Sequence, residues 1–370
     1  MMTPLVLTSC DDSTKEDDVP EEEDKELIGT IAEVRSLDAT VEYLLTGPVI
    51  VADGGTLNIP AGTVIKAEQG FDKYILVLRG GKININGTAT APVTITANKE
   101  NAVQGHWGGL IINGKAPLSG GTEGTTEINA DHKYGGTNVS DNSGSITYLK
   151  LEYTGARSDA DVEHNGLTLN GVGNGTKIEN VFIPYGADDA VEFFGGSVSV
   201  KNLLAVDPDD DMFDFTQGYN GTLENAYGIW QTGYVSSESD PRGIEADGNL
   251  DGNNPTQTGQ SDFTVKNMTI DLRLAPSTAE GNYMHDVIKV RRGAKATIEN
   301  ALVIGRGQAK DLIDVNDGKG AGDATTTISI TNKLSTPLSG VKLNGTATVT
   351  EEEANTGCAT GIFSWTGYEF

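Results

Sequence analysis

The sequence predicts an all-β fold, a parallel β-helix solenoid with coils of about 22 residues. The deciding observation is an internal repeat, because residues 186–194 (GADDAVEFF) return 22 positions later as residues 208–216 (PDDDMFDFT). The approach to each copy repeats at the same offset, with IENV at 178–181 and VKNL at 200–203. Short runs with apolar alternation are split by Gly, Asn and Asp, and no helical period is sustained. A repeat this short cannot bury its own apolar residues, so it must stack on neighbours of the same shape.

Composition and charge narrow the classes of function. Solenoids grow by adding coils, so 370 residues are compatible with one long domain. The 47 glycines suit a turn-rich all-β chain. The formal net charge of −27 argues against binding to nucleic acid, which needs a basic face, and against an anionic membrane surface. It favours cations and cationic or neutral ligands, or serves as a charged coat that prevents aggregation.

The N-terminus resembles a bacterial lipoprotein signal. Residues 1–10 end in PLVLTSC, which is similar to a lipobox, so the resemblance implies a lipidated Cys10 and attachment to the outer membrane. Residues 11–27 are too acidic and too poor in apolar groups to fold, and they are predicted to be a disordered tether. Acidic residues after the lipidated cysteine also resemble the surface-export signal of Bacteroidetes lipoproteins, which implies a location facing the cell exterior. Cys358 is then a lone buried thiol.

The rest of the chain divides into a solenoid and two ends. Residues 28–45 are predicted to be an N-terminal cap, either a short helix or a strand, that covers the first coil. Residues 46–343 are predicted to be the β-helix, and residues 344–370 a C-terminal cap. Two stretches without periodicity, 118–145 and 236–261, are predicted to be long loop excursions from one face of the stack.

Several phrases resemble a known family. They are GTLNIPAGTVIKA at 55–67, KINING at 82–87, WGGLIINGKAP at 107–117 and FSWTGYEF at 363–370. The chain resembles Bacteroidetes-type surface lipoproteins of the right-handed, pectate-lyase-like β-helix superfamily. The resemblance implies the right-handed fold and the cell-surface location. That family has no established activity, so the resemblance leaves the function open.

Aligned coils place asparagines in one column. Asn at a bend tolerates the left-handed backbone, and stacked side-chain amides can hydrogen-bond from coil to coil. We therefore predict a structural ladder of six asparagines: Asn180, Asn202, Asn225, Asn267, Asn300 and Asn332.

A second column consists mainly of acids. Each coil reaches an apolar-x-apolar triplet whose central side chain points outward, because strand side chains alternate. Further acids lie three and four positions earlier in two coils. We call the whole set the ridge: Asp188, Asp189, Glu192, Asp210, Asp211, Asp214, Glu245, Lys289 and Asp314. Successive coils lie about 4.8 Å apart, so neighbouring like charges repel unless a cation lies between them. Hard oxygen ligands of this kind favour calcium.

A separate calcium candidate is the loop that contains Asp247, Asn249 and Asp251. Its oxygens alternate and are followed by Gly252, as in the first half of a calcium loop. The twelfth position holds Thr258 instead of a bidentate Glu. The alternative is a turn-forming Asn/Asp/Gly loop.

Two classes of function remain. The first is a non-catalytic cell-surface module that is adhesive or structural, or binds a glycan or a partner protein, and is stabilised by calcium. The second is a polysaccharide-cleaving enzyme, similar to polygalacturonases or lyases, in which Asp189, Asp210, Asp211 and Lys289 would act as acid, base and subsite cation. Residues 287–291 (VIKVR) resemble the Arg-Ile-Lys element of polygalacturonases, whereas the Gly-His-Gly element of that family does not occur. The sequence therefore favours the first class.

Overall fold

The computed structural model describes Met1 and residues 25–121, 123–158 and 162–370. Cys10 and residues 11–24 of the predicted tether lie outside the described residues. In the described part, 24 strands form one parallel sheet that winds into a right-handed β-helix, and two more strands form an antiparallel hairpin. The predicted fold class is confirmed. The described residues contain no helix with the length and hydrophobicity of a membrane span.

The strands follow one another around the solenoid with short 3-10 segments between some of them. The first coils hold β1 (Glu26–Ile31), β2 (Val34–Ser36), β3 (Glu42–Val51), β4 (Thr56–Pro60), β5 (Val64–Ala67), β6 (Ile75–Val77), β7 (Lys82–Asn86), β8 (Val93–Ala97) and β9 (Leu110–Asn113). The hairpin consists of β10 (Gly124–Thr126) and β11 (Asn129–Tyr134). The later coils hold β12 (Gly144–Leu151), β13 (Leu167–Asn170), β14 (Lys177–Pro184), β15 (Val191–Phe194), β16 (Ser199–Val206), β17 (Phe213–Thr216), β18 (Thr222–Trp230), β19 (Arg242–Ala246), β20 (Asp262–Leu272), β21 (Met284–Lys289), β22 (Lys295–Gly305), β23 (Ala309–Asp314), β24 (Thr327–Leu334), β25 (Leu343–Asn344) and β26 (Thr348–Glu351). The 3-10 segments span Ser119–Gly121, Leu250–Gly252 and Thr360–Thr366.

The parallel register has the predicted period. Glu179 of β14 lies beside Lys201 of β16, which is 22 residues later, and Lys201 lies beside Glu224 of β18, which is 23 residues later. The short strands β15, β17, β19, β21 and β23 pair in the same way on another face. The coils from β14 to β23 thus alternate a long strand and a short strand.

Five of the six predicted asparagines form the ladder. Each side-chain amide donates to the carbonyl oxygen of the asparagine one coil earlier at 2.8–2.9 Å, from Asn202 to Asn300. The five have φ between 53° and 60°, the left-handed bend that divides each long strand. Asn332 is not a rung, because the register shifts between Ile298 and Ala301 where β22 pairs with β24. The Asn300 carbonyl oxygen instead accepts from the backbone N–H groups of Thr356 and Gly357.

The core runs along the axis of the coils. The apolar residues that flank the ridge positions, such as Phe193 and Phe215, are fully buried and stack with ring centroids 5.0 Å apart. Phe215 continues the stack onto Phe263 at 4.2 Å. Burial of such aromatic rings is the main stabilising contribution here. It also holds the intervening ridge side chains at fixed outward positions.

The two ends of the chain and the second excursion contain strands and 3-10 segments. Residues 28–45 form strand, not helix, and they belong to coils that pair in parallel with β3 and β4. Of residues 344–370, the first part forms β26, and the remainder packs its buried Phe363 against the outer side of β14, β16 and β18. The second excursion is divided, because β19 returns to the stack inside it.

Candidate functional site

The ridge column has the predicted register. Glu192, Asp214, Glu245, Lys289 and Asp314 lie at the same position of successive coils. All five are at least partly buried, and the last three expose less than a tenth of their surface. The charges are therefore less solvated than charges on a free strand surface, so their interactions with one another are strong.

A second column runs parallel to the first, three residues earlier in each coil. It consists of Asp189, Asp211, Arg242, Asp286 and Asp311, all of which are buried. The Asp189 carboxylate accepts from the Asp211 backbone N–H at 2.8 Å, and Asp211 accepts from the Arg242 N–H at 2.6 Å. Arg242 was not among the predicted residues. Arg242 precedes Glu245 by three positions, just as Asp189 precedes Glu192, so the register of the sequence locates Arg242.

The first part of the ridge forms the floor of a cleft of about 400 Å³. The walls come from loops, namely the β10–β11 hairpin, the loop that contains Glu163 and the 3-10 segment at Leu250–Gly252. Ten carboxylates line this acidic cleft: Glu127, Glu163, Asp188, Asp189, Glu192, Asp210, Asp211, Asp214, Glu245 and Asp251. Within the described residues, no Lys or Arg side chain lines it.

The hairpin wall is anchored to the stack by polar contacts. The Asn113 amide donates to the Thr126 hydroxyl at 2.7 Å, and the Tyr134 hydroxyl donates to Gln217 at 2.6 Å. The two excursions also touch, because the Gly120 N–H donates to the Thr258 carbonyl at 2.7 Å. The loops that the sequence left without periodicity therefore shape the cleft.

Two groups of three acids converge on the cleft floor. The first group is Asp188, Asp189 and Asp210, and the second is Asp189, Glu192 and Asp214. In each group, one carboxylate oxygen per residue lies within 4.8 Å of the others. Asp189 belongs to both, so the two cleft triplets are contiguous. Within the described part of the chain, none of these five residues forms an ion pair with Lys or Arg.

Burial and mutual repulsion favour protonation of the floor. Burial raises the pKa of Asp210 to about 7, and burial together with Asp247 raises the pKa of Asp214 to about 7. Burial, then Asp188 and Asp211, raises the pKa of Asp189 well above its ordinary value. Burial and Asp214 do the same to the pKa of Glu192, although Asn165 donates to its carboxylate at 2.7 Å. The ionised floor is therefore costly unless a cation binds to it.

Acids on the hairpin and on the loop opposite the floor add further negative charge to the cleft. Burial and the nearby Glu163 raise the pKa of Glu127 to about 7. Glu163 itself forms an ion pair with Arg157 at 2.7 Å. Two buried amide oxygens, Oδ1 of Asn165 and of Asn170, accept no hydrogen bond from any described residue, and Asn170 lines the cleft. Such oxygens are suitable neutral ligands for a cation.

The second part of the ridge is charge-compensated. Arg242 is 4 % exposed and forms ion pairs with Asp211, Asp240, Glu245 and Asp286. Further on, Arg291 contacts Glu245 and Asp247, and Arg292 contacts Asp247 and Asp317. These arginines offset acids that otherwise resemble those of the cleft.

A third triplet, Asp286, Asp311 and Asp314, lies in this compensated part. The Lys289 ammonium Nζ lies 2.6 Å from Asp314 Oδ2 and 3.9 Å from Asp286 Oδ2. Lys289 thus supplies from within the chain the positive charge that a metal ion would bring. Burial raises the pKa of Asp286, but the hydrogen bond with His285, followed by the charges of Lys289 and Arg242, holds this pKa below its ordinary value.

The loop of Asp247, Asn249 and Asp251 uses its oxygens otherwise. Asp247 binds both Arg291 at 2.8 Å and Arg292 at 2.6 Å. Asn249 is fully buried, its amide donates to Gln260 and to the Arg292 carbonyl, and its oxygen accepts from the Asn254 N–H. Asp251 is exposed and lines the rim of the cleft. These contacts match the turn-forming alternative, since two of the three side chains are engaged in shaping the loop.

The family comparison agrees with this geometry. The model of the pectate-lyase-like β-helix domain matches residues 29–367. The chain belongs to this family. No curated protein and no solved structure matches the chain. The matched residues include the solenoid, both excursions and the acidic cleft.

Only three of the four residues expected for polysaccharide cleavage lie in the acidic cleft. Asp189, Asp210 and Asp211 line the acidic cleft, whereas Lys289 lies outside it and contacts Asp314 and Asp286. Asp189 and Asp211 also hold backbone N–H groups of the next coil. The four residues therefore do not form one constellation around a common space.

Proposed function

We propose that this chain is a non-catalytic binding module of the cell surface whose acidic cleft takes up calcium. The observation that carries the proposal is the pair of cleft triplets, which share Asp189 and make no ion pair with Lys or Arg among the described residues. The third triplet of the same solenoid does have such a partner, in Lys289. The contrast supports an external cation for the cleft.

Calcium suits the cleft triplets on chemical grounds. Calcium takes six to eight oxygen ligands at about 2.3–2.6 Å in flexible geometry, so two of its ligands are separated by at most about 5 Å. Oxygens within 4.8 Å of one another meet that limit. Magnesium requires stricter octahedral geometry and holds its waters, and softer metals prefer nitrogen or sulfur. Asn170 Oδ1 offers a neutral oxygen beside the carboxylates.

The surface location rests on the N-terminal motif. The lipobox-like sequence that ends at Cys10 and the acidic stretch after it support an outer-membrane lipoprotein that faces the exterior. Calcium in the cleft would provide open coordination positions for hydroxyl or carboxylate groups of a glycan or a partner protein. Labelling with a radioactive fatty acid tests the anchor, because Cys10→Ala should abolish incorporation while the remaining chain still folds.

Calcium uptake is tested by isothermal titration of the chelator-treated protein at pH 7.5. We expect saturable binding, and a rise in melting temperature that EDTA reverses. Asp214→Asn should weaken binding by at least about tenfold, because it removes one charged ligand. The matched control is Glu299→Gln, an exposed acid outside the cleft. Absence of binding at millimolar calcium in the wild-type protein would end the proposal.

Cleavage of a polysaccharide remains the alternative, and one feature favours it. Asp210 and Asp214 have a pKa of about 7, which is suitable for a general acid. Against it, ten lining carboxylates repel an acidic polysaccharide, and no Lys or Arg of the described residues enters the cleft. Incubation with a panel of neutral and acidic polysaccharides decides the matter. We expect no new reducing ends or unsaturated products, and cleavage that Asp210→Asn abolishes would establish the enzyme.

A further inference from the structure

Lys289 shows which chemistry a carboxylate triplet of this solenoid accepts. Its ammonium Nζ lies 2.6 Å from Asp314 Oδ2, inside the triplet that Asp286 and Asp311 complete. The lysine is 6 % exposed, so its aliphatic stem is buried with its charge. The fold therefore stabilises a primary ammonium group on an aliphatic chain at this position of the ridge.

The acidic cleft repeats this arrangement three coils earlier with an acid in place of the lysine. Glu192 has the same column position as Lys289, and Asp214 is its neighbour in the next coil. A second, independent feature points to a ligand. Asn170 is 1 % exposed and lines the cleft, and its Oδ1 accepts no hydrogen bond from the part of the chain that the structure describes. A buried acceptor without a partner is costly, and an ammonium donor would satisfy it.

The size and the walls of the cleft exceed what bare ions require. Its volume of about 400 Å³ lies within the range of about 300–1,000 Å³ found for small-molecule pockets. Apolar side chains stand among the acids, with Ile128 on the hairpin, Leu250 on the second excursion and Phe194 on the stack. Carboxylates beneath apolar walls suit a ligand that has both cationic groups and methylene groups.

We infer that the cleft binds a ligand with primary ammonium groups on an aliphatic chain, either a free polyamine or a lysine side chain of a partner. This inference rests on the proposed cation-binding function and adds a second class of cation. The ammonium groups occupy the triplets around Asp189 and compete there with calcium. Since positions on successive coils repeat at about 4.8 Å, two ammonium groups joined by a short chain of methylenes engage both triplets. A monoamine engages one.

The test is isothermal titration of calcium-free, full-length protein with spermidine at physiological ionic strength. We expect saturable binding that is at least about tenfold tighter than that of butylamine, because a second ammonium group adds a second set of ionic contacts. Excess calcium should abolish the heat of binding. Glu299→Gln, outside the cleft, should bind spermidine as the wild-type protein does.

Two variants separate the cleft from the acidic surface as a whole. Glu192→Lys introduces the ammonium group that Lys289 supplies elsewhere, and it should lower spermidine affinity at least tenfold. Glu192→Gln keeps the shape and should lower it several-fold, so it preserves the test if the lysine variant does not fold. Spermidine binding that neither variant nor calcium reduces would show attraction to the surface charge only and overturn the inference.

The outcomes also distinguish this inference from the proposed function. If calcium binds with the expected response to Asp214→Asn but spermidine does not bind, the amine inference fails and the calcium proposal stands. If spermidine binds with the expected response to Glu192→Lys but calcium does not bind, the calcium proposal fails and the amine inference stands. A lysine-containing peptide distinguishes the sources: competition by this peptide, but not by its acetyl-lysine counterpart, at concentrations similar to spermidine indicates a partner's side chain. Competition only at much higher concentration indicates the free polyamine.

Discussion

The ridge has two parts that share one backbone design and differ in how their charges are offset. In the cleft part, the five acids of the two triplets lie on two successive coils and make no ion pair with Lys or Arg in the described chain, whereas the neighbouring Asp211 pairs with Arg242. These five acids are Asp188, Asp189, Glu192, Asp210 and Asp214. In the compensated part, Arg242, Lys289, Arg291 and Arg292 pair with almost every acid of the column. Both parts are stacked in the same register on the same core.

The comparison teaches which acids serve the fold. The core and the asparagine ladder hold both parts equally well, so architecture alone does not require the acids of the cleft. In the compensated part, a buried acid without its arginine or lysine would be destabilising. In the cleft part, the acids of the two triplets have no such ion pair among the described residues, and loops from three places close around them. We therefore infer that the acids of the compensated part serve stability, and we propose a binding role for the acids of the cleft.

The largest expected effect is a loss of stability on substitution in the compensated part. Arg242→Met removes the partner of four carboxylates at a residue that is 4 % exposed. Loss of one member of a buried ionic network costs about 3–5 kcal/mol, so the free energy of unfolding should fall by that order in urea denaturation. A loss below about 1 kcal/mol would show that the Arg242 contacts contribute little to stability. Lys266→Met, which removes an exposed ion pair with Glu299, is the control and should stay within about 0.5 kcal/mol.

The second effect is a pH dependence of stability, to which the acids of the cleft with a pKa of about 7 contribute most. The pKa values of Asp210, Asp214 and Glu127 are raised to about 7, above their values in an unfolded chain. These three groups then bind more protons in the folded state than in the unfolded state between about pH 4 and pH 7, so their contribution to stability is greatest at low pH and is lost as pH rises through 7. Calcium-free protein should melt roughly 5 °C higher at pH 5.5 than at pH 8, as measured by circular dichroism. Saturating calcium should remove most of this difference. A melting temperature that rises with pH in the calcium-free protein contradicts the account.

Removal of one carboxylate charge should raise the melting temperature in the cleft part and lower it in the compensated part. Asp214→Asn relieves repulsion with Glu192 and Asp189, so the calcium-free protein should melt a few degrees higher. Asp314→Asn removes the partner of Lys289 and should lower the melting temperature. Differential scanning calorimetry of both variants under chelator checks the pair. Destabilisation by both substitutions would mean that the two parts of the ridge do not differ as argued.

The smallest expected effect concerns the triplet that Lys289 fills. Lys289→Met keeps the stem and removes the ammonium group, which leaves Asp286, Asp311 and Asp314 without it. The variant should be less stable than the wild type and should gain an additional weak calcium-dependent rise in melting temperature. Identical calcium responses of variant and wild type would show that the third triplet does not accept a metal ion.

The regular part of this structure was predictable because it repeats. Apolar-x-apolar triplets located Glu192, Asp214, Glu245, Lys289 and Asp314, since alternation in a strand fixes which side chain points outward. Arg242 was missed although the same register contains it, because charge type was followed instead of position. Asn332 was misplaced because a register shift between β22 and β24 interrupts the repeat.

The irregular part of the site was not predictable from periodicity. Glu127, Glu163 and Asp251 reach the cleft from three loops, and their positions depend on contacts distant in sequence, such as Tyr134 with Gln217. The contribution of Arg291 and Arg292 to the Asp247 loop likewise depends on a coil 44 residues later, as the Arg291–Asp247 hydrogen bond shows. Sequence patterns thus identify the floor of the cleft, and tertiary packing determines its walls.

The most direct test of the central claim is an anomalous difference map from crystals grown in calcium and soaked with terbium, a trivalent calcium substitute. The account predicts peaks in the cleft that are coordinated by Asp189 together with Asp210 or Asp214, and no peak between Asp286, Asp311 and Asp314. A map without a peak in the cleft, or with its strongest peak beside Lys289, would contradict the division of the ridge into a binding part and a compensated part.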